Sequence, residues 1–164
     1  MSRNDVTLVY NPYASTPTRE FVVEDRTTSS DTVMYPGEPV KINGESANYV
    51  IHLATGDPEY GTDIVAGITA TGSTETSTVD GVVNVILPLP GIIWRCAATT
   101  PANLAAGILY DCVTFDFTTP TYTVDENEGS DENVHGLRIM GYDSDEGTVD
   151  FMIKPSVTLL DDLV

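Results

Sequence analysis

The feature that most narrows what this chain can fold into is a series of short runs in which β-branched and aromatic residues recur at every second position. Gly, Pro or Asp separates one run from the next. "VTLVY" (6–10), "YVIHLA" (49–54), "IVAGITAT" (64–71) and "GVVNVIL" (81–87) read as strands, as do "IIWRCAA" (92–98), "CVTFDFT" (112–118), "LRIMGY" (137–142) and "VDFMIK" (149–154). In "VTFDF", Val113, Phe115 and Phe117 fall on one side while Thr114 and Asp116 fall on the other. Strands that alternate in this way have one dry and one wet face, as in antiparallel sheets. The expected fold is therefore mainly β, a compact antiparallel barrel- or sandwich-like domain. One segment departs from the pattern. "TPANLAAGILYDC" places Thr100 at an N-cap and Pro101 at a first helical position, which predicts one short helix over 101–110. The tail "SVTLLDDLV" is expected either to add a helical turn or to lie against the core.

A chain of 164 residues with 41% hydrophobic residues is long enough to bury a core and is not disordered by composition. Twenty-five acidic residues against seven basic ones give a formal charge of −18. That excess disfavours nucleic acid, whose affinity for proteins comes from Lys and Arg on phosphates, and it disfavours an anionic membrane surface. The most apolar run, "VVNVILPLPGIIW" (82–94), is interrupted by Asn84, Pro88, Pro90 and Gly91. It falls short of the roughly 18–20 apolar residues a membrane helix requires. "MSRNDVTLVY" has no secretory h-region, so synthesis in a cytoplasm is the expectation, and Cys96 and Cys112 are then expected as buried thiols.

Residues 1–32 differ in texture. "NPYASTPTREFVVEDRTTSSD" mixes Pro, Thr and Ser with brief apolar runs, and the segment holds three of the seven basic residues, Arg3, Arg19 and Arg26. It reads as an extended N-terminal arm, set apart from a β-rich domain over 33–164.

The acidic stretches are the first place to look for chemistry. In "GYDSDEGTVDF", Asp143, Asp145, Glu146 and Asp150 cluster around Gly147. A strand on either side makes "DSDEG" a hairpin loop, and the ligand spacing of a calcium loop is not met. "DENEGSDEN" (125–133) carries Asp125, Glu126, Glu128, Asp131 and Glu132 and reads as a solvated loop. The sequence contains no phosphate-binding Gly-rich loop with Lys, no GxSxG elbow, no HExxH helix and no CxxC pair. His52 and His135 have no evident nucleophile beside them, and Trp94, alternating with Ile92 and Cys96, reads as core. No catalytic residue, cofactor or metal is expected.

Several segments taken in order resemble the head-decoration, or cement, proteins of tailed bacteriophages. They are "YPGEPVKINGESANYVIHLATG", the Val-rich "VDGVVNVILP", the Ala-rich "PANLAAGILYDCVTFDF", and then "TYTVD" with an acidic loop leading into "GLRIMGYDSDEGTVDFMIKP". The similarity runs from about Met34 to Pro155 and rests on order and texture. It implies a small β-rich structural protein, a homotrimer without enzymatic activity, on the outer capsid surface of a virion. Its partner would be the major capsid protein, bound after the shell expands, with neither nucleic acid nor membrane involved. Within that resemblance the arm is the expected capsid contact by strand addition. Val6, Leu8 and Tyr10 would share one face, Phe21 and Val23 another, and Arg3, Arg19 and Arg26 would meet acidic groups. The competing expectation is that the arm folds back on its own domain or on a neighbouring subunit. If the arm is a separate device, deleting 1–31 abolishes capsid binding and leaves the core folded. A different reading of the same residues is a β-sandwich adhesion or carbohydrate-binding module, with Tyr35, Tyr60 and Tyr122 as an aromatic platform.

Overall fold

The structure is a computed structural model that describes residues 5–23, 32–43, 46–76, 78–118, 120–128 and 131–158. Among the described residues fourteen strands follow one another along the chain. They are β1 (Val6–Tyr10), β2 (Thr18–Val23), β3 (Thr32–Met34), β4 (Pro39–Asn43), β5 (Ser46–His52), β6 (Val65–Thr69) and β7 (Ser73–Glu75). After these come β8 (Gly81–Ile86), β9 (Ile93–Ala97), β10 (Cys112–Val113), β11 (Phe115–Thr118), β12 (Thr121–Val124), β13 (Leu137–Asp143) and β14 (Thr148–Ile153). The chain is mainly β, as its alternation requires. Among the described residues no helix is long and apolar enough to cross a membrane.

Two bodies of sheet carry the fold. One is a five-stranded antiparallel sheet in the order β1-β9-β14-β13-β10; the other is a closed barrel, β2-β5-β4-β6-β8. β11 and β12 form a two-stranded ribbon, and so do β3 and β7. Side chains that alternate inward fill two cores. The barrel interior holds Phe21, Val23, Met34, Val40, Val50, Ala66, Val83 and Val85. The larger core lies under the open sheet, around Trp94, Phe115, Tyr122, Leu137, Ile139 and Phe151. There Phe115 meets Phe151 edge-on at 5.4 Å and Tyr122 at 6.0 Å, the arrangement aromatic quadrupoles favour. Val149, Phe151 and Ile153 of β14 all point into this core, as the period of two predicts.

The N-terminal segment is extended, but it does not stand apart from the sheets. β1 pairs antiparallel with β9, and β2 is a barrel stave, antiparallel to β8 and parallel to β5. The physical reason is burial. Phe21 and Val23 are each 1% exposed, and a barrel of five strands has no closure without β2.

The expected helix over 101–110 is also revised. Two separate 3-10 turns, Pro101–Asn103 and Ala106–Ile108, stand in its place, with Leu104 extended between them. Thr100 makes no side-chain cap, and the segment is too short and too poor in large apolar residues to hold a helical face against the core. Extending at Leu104 buries that side chain instead. "VTFDF" is likewise broken at Thr114, which is buried and donates its hydroxyl to Glu128. Past β14 the chain makes a further 3-10 turn, Pro155–Val157, with Val157 buried; the residues from 159 on lie outside the described structure.

Candidate functional site

The residues expected to contact a partner are separated by the fold. Val6, Phe21 and Val23 are core residues, Leu8 is half-buried against the core, and Tyr10 is exposed. Val6, Phe21 and Val23 therefore cannot face a partner, because the strands that carry them bury them in this chain's own cores. Arg19 lies over the Phe21 ring and donates to Asn48 at 2.7 Å, while Arg3 and Arg26 lie outside the described residues.

What remains on the outside is an edge. β1 ends the open sheet, so one side of its backbone faces away from β9. Val6 N–H uses that side to reach Gly37 O at 3.0 Å, which ties the sheet to the barrel. Because hydrogen-bonding direction alternates along an antiparallel strand, Leu8 presents its N–H and C=O to the same side. Next to it lie Val9, 47% exposed, Tyr10, 55%, and Tyr13, 40%. Tyr13 is held in place. Its hydroxyl donates to Pro90 O at 2.9 Å, its N–H reaches Asn11 Oδ1, and Asn11 Nδ2 closes the loop onto Ser15 O. Exposed apolar side chains beside a strand edge that pairs with no further strand among the described residues are the arrangement that accepts another strand.

A second feature was present in the sequence only as the loop "GDPEYGTD". Lys41 on β4 reaches into it and donates to Asp57 Oδ2 and Asp63 Oδ1, each at 2.6 Å. The Asp63 side chain is 2% exposed and also accepts from Glu59 N–H at 3.0 Å; Asp57 also accepts from Ala54 N–H at 2.7 Å. Burial by itself would lower the Lys41 pKa, but the hydrogen bonds and charges of Asp57 and Asp63 outweigh it and hold the pKa above its ordinary value. The ammonium thus fixes both ends of a tight turn, and Tyr60 stands at its crest, 55% exposed. The sequence signal was available: two Asp in an eight-residue loop, with one of the chain's few Lys residues on a strand. No periodicity pairs residues so far apart, so the network is not legible along the chain.

The acidic stretches are structural. "DSDEG" is a hairpin loop between β13 and β14, with Gly147 at a φ of 67° and Asp143 Oδ1 accepting from the N–H groups of Asp145 and Glu146 at 3.0 Å each. In "DENEGSDEN" Asn127, Asp131, Glu132 and Asn133 are exposed, as a solvated loop requires, and Glu126 is the buried exception among the described residues. Glu126 is 5% exposed, and its Oε1 accepts from Thr100 N–H at 2.9 Å and from Asn127 Nδ2 at 3.0 Å, anchoring the first 3-10 turn. Among the described residues no three His, Cys, Asp or Glu side chains gather as a metal site. The three tyrosines of the expected platform are not brought together as a surface: Tyr122 is fully buried and donates its hydroxyl to Leu53 O at 2.6 Å, and Tyr35 is half-buried. Only Tyr60 of the three is exposed.

Cys96 and Cys112 are buried thiols not joined by a disulfide. Burial pushes the Cys96 pKa up to about 12. The native protein at pH 8 is therefore expected to leave Cys96 unmodified by a disulfide reagent over a time in which the denatured protein reacts completely. Rapid native labelling, located to Cys96 by mass spectrometry, would show that the sheet opens around it.

No family model matches this sequence, and no curated protein is significantly similar to it.

Proposed function

We propose that this chain is a structural decoration protein of a phage capsid, docked on the outer surface of the major capsid protein and without enzymatic activity. The observation that carries the reading is the open edge of β1 beside exposed Val9, Tyr10 and Tyr13. It offers main-chain hydrogen bonds for affinity and side chains for register, the two requirements of strand addition. The ordered resemblance of residues 34–155 to head-decoration proteins supplies the partner. The formal charge of −18 suits an outward coat that repels packaged nucleic acid and is drawn to basic ground on a shell. Assembly as a trimer belongs to the same proposal.

The test is co-sedimentation with expanded, undecorated capsids. Truncating 1–31 is a poor probe, because it removes β2 from the barrel along with the edge. The sharper one is the double variant Val9→Asp, Tyr10→Asp, which changes two exposed side chains and leaves both cores intact. Saturable pelleting of the wild type at a fixed ratio to capsid protein, with at least a tenfold loss in the variant, is the expected result. Wild type that stays in the supernatant with intact capsids rejects the decoration role. Equal pelleting of both proteins rejects the β1 edge as the contact.

A further inference from the structure

The loop that Lys41 holds is fastened on two sides. Tyr60 N–H donates to Val134 O at 2.7 Å, and Glu59 bridges to His135, so the loop is fastened to the segment 131–136 as well as to β4. Thr62 N–H and Asp63 N–H both return to Glu59 O, at 3.3 and 3.0 Å. Three charged groups, Lys41, Asp57 and Asp63, thus serve to fix a turn that presents an aromatic ring to solvent. A ring on so rigid a base loses little freedom when something stacks on it.

The space around that ring has a definite shape. A cavity of about 320 Å³ lies on one side, lined by Tyr60, Thr62, Asp63, Ile64 and Ser156. A second, of about 270 Å³, is lined by Tyr60, Glu132, Asn133, Lys154 and Ser156. Tyr60 and Ser156 line both, so the two cavities flank the tyrosine, and together they are called the furrow below. Its apolar surface comes from Tyr60 and from Ile64, which is 42% exposed. The rest offers amide, hydroxyl and carboxylate groups, which donate and accept in pairs. The charges are answered locally: Lys41 occupies Asp63, and the Lys154 ammonium donates to the backbone carbonyls of Glu132 and His135.

From this we infer a saccharide-binding furrow, with the Tyr60 ring stacking on the apolar face of a neutral sugar and Asn133, Glu132 and Ser156 bonding its hydroxyls. The chemistry selects that class. Asp63 is engaged by Lys41, and Glu132 and Lys154 bring one charge of each sign to the lining, so neither an anion nor a cation is favoured, whereas a neutral sugar ring has both the C–H face and the hydroxyl rim that the lining matches. The furrow involves none of the β1 residues, so it stands or falls apart from capsid docking.

The test is saturation-transfer NMR on the full chain with four neutral probes at millimolar concentration: maltotriose, cellotriose, triacetylchitotriose and a β-1,4-galactotriose. At least one is expected to receive saturation from the wild type. Tyr60→Ala is expected to weaken its binding at least tenfold, while Tyr60→Phe, which keeps the stacking face, stays within about threefold. Since Tyr60 is exposed, both variants keep the fold, which circular dichroism verifies. Failure of all four probes to bind the wild type overturns the inference, and so does Tyr60→Ala binding as well as the wild type.

Discussion

Replacing Gly67 with alanine is expected to destabilise the protein by ~4 kcal/mol or more, a large share of the roughly 5–15 kcal/mol that holds an ordinary domain folded. Gly67 lies in β6 at a φ of 142°, and a Cβ built there would sit 2.0 Å from Ile86 O and 2.9 Å from a methyl of Val85. The first obstacle is backbone, which cannot swing aside as a side chain would. β6 and β8 pair at Ile68↔Ile86 and Thr69↔Val85, with Ala70 N–H donating to Asn84 O just beyond, so prising them apart at Ile86 opens the end of a short seam that closes the barrel. Gly56→Ala is the matched control. Gly56 has a φ of 87° but nothing within 4 Å of its built Cβ, so it carries the backbone strain alone, about 1 kcal/mol. Urea unfolding of the two variants separates the effects. Equal losses would mean that the β6–β8 seam yields without cost.

Lys41→Ala is expected to cost ~3 kcal/mol, because it leaves Asp63 buried without its counter-charge. Lys41→Ala combined with Asp63→Asn is expected to recover part of that loss, since the neutral amide no longer requires a cation. The pH dependence has a definite sign. The folded-state pKa of Lys41 is raised, so its contribution is fully present below the unfolded value of 10.5 and disappears as pH rises through the higher folded value. Wild-type Tm is therefore expected to fall above pH 10.5 more steeply than that of Lys41→Ala. Parallel curves would show that the ammonium contributes nothing specific to the turn. If the furrow beside Tyr60 binds sugar, Lys41→Ala should also weaken that binding, through a loosened turn rather than a lost contact.

Much of the β framework could be read from alternation. β8, β9, β13 and β14 lie where the period of two puts them, with Val83, Val85, Trp94, Phe151 and Ile153 inside. A strand half-buried in a sheet must alternate whatever its neighbours are, so that signal is local and survives in a single sequence. The same holds for the "DSDEG" turn, where a positive φ at Gly147 and the Asp143 carboxylate close the chain on itself. β2 was hidden because "TREFVV" begins with three polar positions that are exposed, and only its last residues enter the barrel. The helix over 101–110 was suggested by propensity, which the core overrode by drawing in Leu104.

The sequence by itself determined the class of fold, the acidic surface and the inward residues of most strands, because each follows from neighbours along the chain or from simple totals. Only the tertiary structure decided that the first strands belong to the sheets and that β1 is an open edge. The same is true of Lys41, which comes within 2.6 Å of two aspartates that lie 16 and 22 residues away. Pairings of that kind depend on which strands become neighbours, and strand order is set by how two cores close together, a property no local period encodes.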